Sequence, residues 1–248
     1  MNVDNIFKHH ERILLLCSGG KDSIALLYHL ENYWDRLVVG WINSGDLCPE
    51  VEEFMQGISQ KVPNFMVTYS DSRAWRAENG WPSPIVPVDY TLLGRAVTGE
   101  KNIRVASTYE CCKANIWSPI KALVEATGST AVLTGQRKED TSCDPRPSGT
   151  WIDGVQYFYP IDDWTLAEVH SALKEQGIDD PRFFGDDTSI DCVTCTGFPQ
   201  YTERTAYIKQ HHPDKYKEVL LRWADIKEAN SRASTALDMA LNEVTNEI

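Results

Sequence analysis

Residues 13–28 run Ile-Leu-Leu-Leu-Cys-Ser-Gly-Gly-Lys-Asp-Ser-Ile-Ala-Leu-Leu-Tyr. An apolar run of strand length, Ile13–Cys17, stops at a glycine pair. A pattern with Ile24, Leu27, Tyr28 and Leu30 on one helical face begins at once. A strand that passes directly into a helix through a tight turn is the opening of a βα unit, and repeated βα units build a parallel sheet with helices on both faces. The pattern does repeat. Leu37–Ile42 reads as a second strand ending at Asn43-Ser44-Gly45, with a helix from Pro49, where proline suits a first helical turn. Phe65–Tyr69 reads as a third strand, 113–126 as a helix, Thr130–Thr134 as a strand ending at Gly135, Val155–Ile161 as a strand, and Leu166–Leu173 as helical. Residues 71–110, rich in Trp, Pro and Gly, are expected to be irregular, with WRAENGWPSPIVPVDY either a lid or a loop with a tucked tryptophan. From Thr202 the chain is polar and helix-compatible, broken at Pro213. This predicts an α/β domain over 1–200 and a helical C-terminal extension over 201–248. In such sheets a ligand lies beyond the carboxyl ends of the strands, so the loops after Cys17, Asn43 and Thr134 are expected to converge on one site.

The loop at 18–23 has the chemistry of an anion cradle. Gly19 and Gly20 permit a tight turn and a close backbone approach. The helix beginning near Lys21 presents unpaired N–H groups and the positive end of its dipole. Lys21 adds a cation, Ser18 and Ser23 add hydroxyls, and Asp22 or the phosphates themselves could hold Mg²⁺. The spacing is not the GxxxxGK(S/T) of a Walker A loop. In the third loop Arg137 and Arg146 carry guanidinium forks suited to phosphate or sulfate, the alternative being solvated loop charge. A net charge of −12 opposes non-specific binding to a nucleic-acid backbone, so nucleic acid is expected only through a partner or a local basic patch. No stretch has the apolar length of a membrane span, and the start MNVDNIFKHHER has no apolar leader segment, so no membrane partner and a cytoplasmic location are expected.

Seven cysteines in such a chain suggest metal or redox chemistry. Cys111 and Cys112 are adjacent, too close in Cα spacing to bond readily to one another. With Cys192-x-x-Cys195 they make a four-thiolate set suited to zinc or to an iron–sulfur group, and residue chemistry leaves both open. Cys17 reads as core. Cys48 and Cys143 lie in the second and third loops and are either bystanders or sulfur carriers, the bystander reading being favoured, with Arg137 or Arg146 available to favour a Cys143 thiolate. His9-His10 and His211-His212 read as surface.

SGGKDS after a hydrophobic strand resembles the PP-loop of N-type ATP pyrophosphatases and of the sulfonucleotide (APS and PAPS) reductases. INSGDLCPEVEEF, LTGQRKEDTSCDPR and YPIDDWTLAEV are similar to further segments of the PAPS reductase family, together spanning residues 13–197. The resemblance implies a Rossmann-like (adenine nucleotide alpha hydrolase-like) α/β fold. It implies nucleotide or pyrophosphate contacts from Ser18, Gly19, Gly20, Lys21, Asp22, Ser23, Asn43, Ser44, Gly45, Thr134, Gly135, Arg137 and Arg146. CCKANIWSPI followed by CVTC looks like the CC…CxxC of the iron–sulfur branch, implying a [4Fe-4S] cluster on Cys111, Cys112, Cys192 and Cys195. One departure matters: the family's reductases carry a nucleophilic cysteine near the C-terminus, and here no cysteine follows Cys195. The expected activity is therefore ATP-dependent adenylylation with release of pyrophosphate, coupled to sulfur transfer, with Lys21, Asp22, Arg137 and Cys143 as catalytic candidates. The alternatives are an APS/PAPS reductase drawing its thiol from Cys143, Cys48 or a partner, and a non-catalytic nucleotide- and cluster-binding subunit. Expected partners are an adenine nucleotide, a sulfur-donor or reductant protein, and a second copy of the chain in a homodimer.

Overall fold

The computed structural model describes residues 3–99, 104–140, 146–178, 192–200 and 202–245. In chain order the first elements are α1 (Val3–His9), β1 (Ile13–Leu16), α2 (Lys21–His29), β2 (Leu37–Asn43), α3 (Pro49–Lys61) and β3 (Phe65–Tyr69). Then come α4 (Ser72–Asn79), β4 (Trp81–Ser83), α5 (Leu92–Thr98), β5 (Val105–Ser107), α6 (Thr108–Cys112) and α7 (Ser118–Thr127). The last are β6 (Ala131–Leu133), β7 (Thr150–Ile152), β8 (Val155–Phe158), α8 (Leu166–Glu175), α9 (Thr202–His211) and α10 (Pro213–Thr245). They form two compact units interleaved along the chain, Met1–Ser70 with Ile116–Cys192, and Asp71–Asn115 with Val193–Ile248.

The first unit holds a six-stranded sheet in the order β3-β2-β1-β6-β8-β7. Neighbours pair in parallel except β7 with β8, an antiparallel hairpin closed by Asp153-Gly154. Both turn residues have positive φ, 49° and 81°, as a two-residue hairpin turn requires. Strands buried on both faces need nearly continuous apolar runs, and Ile13, Leu14 and Leu15 of β1 are fully buried. Leu14 and Val132 pack with Leu123 and Val124 of α7, and the partly buried Leu16, Ile42 and Ile120 join them. Gly40 of β2 admits α7 closely, since a Cβ there would lie 2.4 Å from Leu123 Cδ2. The sheet confirms the α/β Rossmann-like class. β1 has β2 on one side and the late strand β6 on the other, so the order reverses beside β1, where such sheets open a crevice.

The helix expected over 113–126 differs in detail: Lys113–Trp117 is one π turn, and α7 starts at Ser118. Pro119, in the first turn of α7, has no N–H for a carbonyl one turn back, and its ring crowds that carbonyl, so the ladder widens there. His10 is also not a surface residue. It is buried, with Nδ1 3.1 Å from Thr130 Oγ1 and Nε2 3.1 Å from Gln156 Oε1.

The expectation of irregular chain over 71–110 is overturned. Asp71 caps α4 by accepting from the Ala74 N–H at 2.8 Å, and Gly80 ends it at φ 112°. Thr91 caps α5 by accepting from the Gly94 N–H at 3.0 Å, and Gly99 ends it in the left-handed region. β4 and β5 pair in parallel through Trp81–Val105, Pro82–Ala106 and Ser83–Ser107. A two-stranded sheet leaves β4 an open edge, where the missing N–H of Pro82 is tolerated. The core of this second unit joins Tyr90 and Val105 to Ile226 and Ala229 of α10, with Trp81 and Trp223 against them. The C-terminal helices thus share a core with residues 71–115, and the boundaries between units fall at 70/71, 115/116 and 192/193. Among the described residues no helix is long and apolar enough to cross a membrane.

Candidate functional site

A cavity of about 390 Å³ opens in the first unit at the carboxyl ends of β1, β2 and β6. Its polar wall is Ser18, Gly20, Lys21, Asp22 and Ser23, with Ser44 from the second loop and Thr134, Gly135 and Gln136 from the third. The three loops expected to converge do so here.

The turn itself is built from two different glycines. Gly19 has φ 87°, a left-handed conformation, and a Cβ would press on Met55 at 3.1 Å. Gly20 has φ −82°, open to any residue, and leaves bare backbone at the cavity wall. Gly20 is the N-cap of α2, no side chain caps that helix, and its first-turn N–H groups lie at the cavity. The serines knit the loop: Ser23 Oγ donates to the Gly20 carbonyl at 2.9 Å, and Ser18 Oγ accepts from the Gly20 N–H at 3.3 Å. The third loop comes so near that a Cβ on Gly135 would stand 2.7 Å from the backbone carbonyl of Asp22. Asn43 steadies the second loop, accepting from the Gly45 N–H at 2.9 Å and donating to Glu52 at 3.2 Å, and does not itself line the cavity.

The charged residues form a chain running inward from the cavity. Lys21 Nζ lies 3.1 Å from Asp22 Oδ2, and Arg137 Nε donates to Asp22 Oδ1 at 2.7 Å. Arg137 Nη1 reaches Glu139 at 3.0 Å. Arg137 is 2% exposed and does not line the cavity, so its guanidinium holds Asp22, which in turn holds Lys21. Burial, with Tyr159 and Asp153 nearby, pushes the Tyr157 phenol up, and the exposed Arg146 only opposes this; Arg146 also does not line the cavity.

Sequence reasoning missed the apolar wall, Leu16, Ile42, Leu47, Ile116 and Ile120. The signal was present in the four-residue spacing of Ile116 and Ile120, which puts both on one helical face. Cys17 lines the cavity, fully buried, its thiol pushed up to about 11 because burial outweighs the Gly19 and Ser23 hydrogen bonds. It is a neutral wall. Cys48 is the buried N-cap of α3 and does not line the cavity. Cys143 lies outside the described residues. Cys192 donates its thiol to Ser44 Oγ at 3.4 Å, against the cavity wall.

In the second unit Cys111 is buried, and Cys112 and Cys195 are half-buried. Nitrogen donors are directed at sulfur. Gly197 N–H donates to Cys195 Sγ at 3.4 Å, and Asn115 Nδ2 lies 3.9 Å from Cys111 Sγ. The Arg76 guanidinium also donates to Cys111. Burial and the nearby Cys195 push the Cys111 thiol up, while Arg76 and Asn115 pull it down. Arg204 pins the Cys-x-x-Cys backbone through the Cys195 and Val193 carbonyls at 3.3 and 3.4 Å. Cys111, Cys112 and Cys195 do not gather all three sulfurs within 4.8 Å of one another. A zinc ion, at about 2.3 Å from each thiolate, holds tetrahedral ligands about 3.8 Å apart. These sulfurs are thus not gathered as one zinc ion would hold them, and the N–H donors suit sulfur that carries negative charge.

Among known families, residues 12–198 match the phosphoadenosine phosphosulfate reductase domain. No curated protein matches the chain. Among solved structures it is similar to phosphoadenylyl-sulfate (PAPS) reductase from Candida auris, in a phosphate complex. The two are 14% identical, with 66% of this chain and 72% of that one covered and a TM-score of 0.44.

Proposed function

Because the chain belongs to the phosphoadenosine phosphosulfate reductase family, whose domain covers residues 12–198, we propose that its first unit binds an adenine nucleotide and activates an acceptor for sulfur transfer. The supporting observation is the two-sided cavity, with an uncapped helix N-terminus and Lys21 on one wall and Ile116 and Ile120 on the other. The first suits a polyphosphate, the second the flat face of a base.

With ATP, an acceptor oxygen attacks the α-phosphorus, and the bond from that phosphorus to the bridging oxygen of the β-phosphate breaks. Pyrophosphate leaves with the bonding pair and takes up the acceptor's proton. Lys21 and the N–H groups of α2 meet the charge that develops on the leaving group. Asp22 and Arg137 act as positioning residues, since each holds the next in line behind Lys21. A sulfur nucleophile then displaces AMP from the activated acceptor. Both carboxylate oxygens of Asp22 already face cations, so a Mg²⁺ ion would be held by phosphate oxygens. Cys111, Cys112, Cys192 and Cys195 would hold a [4Fe-4S] cluster, which supplies electron or sulfur chemistry when bound.

A second reading is favoured by the Cys192 thiol beside Ser44. In a sulfonucleotide reductase a thiolate attacks the sulfate sulfur of APS or PAPS, and the bond from that sulfur to the phosphate oxygen breaks. A thiosulfonate forms, the nucleotide leaves, and a dithiol protein then supplies two electrons and releases sulfite. Cys192 cannot be that nucleophile and a cluster ligand at once. Anaerobic protein offered ATP, APS and PAPS, with reduced thioredoxin in the last two cases, separates the readings. Binding of ATP with no sulfite from APS or PAPS is expected. Sulfite production abolished by Cys192→Ser, or by Cys143→Ser, would replace the first reading with the second.

A further inference from the structure

Arg76, on α4, is 1% exposed. Arginine is seldom buried so completely unless the interior offers it a compensating charge or hydrogen bonds. Its Nη1 donates to Thr194 Oγ1 at 2.9 Å and its Nη2 to Ser72 Oγ at 3.2 Å. Its guanidinium carbon lies 5.7 Å from the centre of the Trp81 ring, and it also donates to the sulfur of Cys111. Among these four neighbours the sulfur is the group that ionises. Thr194 lies between Cys192 and Cys195 in sequence, so one guanidinium ties the helix of Cys111 to the Cys-x-x-Cys segment.

We infer that Arg76 is the countercharge of the cysteine centre, a positioning residue that joins its two sequence segments and offsets the negative charge gathered on its sulfurs. The inference rests on the proposal that these cysteines hold an iron–sulfur cluster. A cluster ligated by thiolates is anionic and becomes more so on reduction, so a fixed cation hydrogen-bonded to one of its ligands favours the reduced form. Arginine suits the role, because its planar fork donates to Thr194, Ser72 and the sulfur of Cys111 at once.

The experiment is anaerobic reconstitution of the full chain with iron and sulfide, followed by iron content and a spectroscopically monitored reductive titration without nucleotide. Arg76→Gln should lower the reduced-to-oxidised ratio at a given poise at least tenfold, ~59 mV for a one-electron couple. Arg76→Lys should stay within about threefold of wild type, because it keeps the charge. Thr194→Val removes a hydrogen bond and leaves the cation in place, so it should also stay close to wild type. Thermal unfolding checks that each variant folds, and should Arg76→Gln fail to fold, Arg76→Lys and Thr194→Val carry the comparison. An Arg76→Gln titration that overlays wild type overturns the inference alone. So does an Arg76→Lys or Thr194→Val variant displaced tenfold. A wild-type chain that takes up no iron overturns the cluster proposal, and the inference with it.

Discussion

Gly19 and Gly20 stand side by side under different constraints. Gly19→Ala should cost roughly 1–2 kcal/mol, because an L-residue at φ 87° is strained and Met55 is only 3.1 Å from the new Cβ. Gly20→Ala should leave stability within about 0.5 kcal/mol and weaken pyrophosphate binding, because its Cβ enters the cavity wall and no strained backbone. Urea unfolding beside pyrophosphate titration separates the two, and equal losses of stability would refute the distinction. Lys21→Ala should weaken pyrophosphate at least tenfold, about 1.4 kcal/mol, with the fold retained; unchanged affinity would remove Lys21 from the site. Cys17 supplies a pH signature. Its thiol rises from 9.0 to about 11 in the folded chain, so the stability it contributes is complete below pH 9 and lost as pH rises toward 11. That loss amounts to roughly 2–3 kcal/mol. Cys17→Ala should flatten the alkaline limb of a stability–pH curve, and a limb of unchanged slope would assign it to other groups. At this scale the sequence shows which residue types are present and not which way they face. Arg137 lies 115 residues from Asp22, and nothing in the spacing tells a guanidinium aimed at a ligand from one turned inward onto a carboxylate.

Helix α8 packs on α2, the helix whose N-terminus meets the cavity. A capping box starts α8: Thr165 Oγ1 accepts from the Glu168 N–H at 3.3 Å, and Glu168 Oε2 accepts from the Thr165 N–H at 2.7 Å. Thr165→Ala should cost about 1 kcal/mol, read as a lowered urea midpoint at constant slope; an unchanged midpoint would show that packing of Val169 and Leu173 alone holds the helix. Elements with strong periodicity are legible in the sequence. Phe65–Tyr69, the helix from Pro49 and the break at Pro213 fall where expected, and the first, second and fourth strands lie within a residue of their expected ends. What escaped were short elements fixed by single caps. α4, α5 and the β4–β5 pair rest on Asp71, Thr91, Gly80 and Gly99, and the abundance of Trp and Pro in that stretch hid these signals. β7 was equally readable from Asp153-Gly154, a hairpin turn dipeptide just ahead of a recognised strand.

The cavity belongs to the first unit, while the second unit is assembled from two distant stretches of chain. Its core needs both, since Tyr90 and Val105 pack with Ile226 and Ala229, and Thr196 Oγ1 donates to the Pro82 carbonyl at 2.6 Å. Deleting residues 202–248 should therefore expose 71–99 to protease and to fast amide exchange while the sheet of the first unit stays protected; a protected 71–99 would show that this segment folds without α10. No local pattern could have announced such a partnership, because it joins residues more than a hundred positions apart. The same interleaving bears on how the protein is born. On the ribosome β1 gains β2 within a few seconds, but its other neighbour, β6, is encoded more than a hundred residues downstream. At about 5–20 residues per second, one edge of a fully apolar strand waits on the order of ten seconds for its partner. An unpaired apolar edge invites pairing with a neighbouring nascent chain, so the yield of soluble protein should depend on early-acting chaperones and on translation speed between residues 17 and 130 more than on the stability of the finished fold.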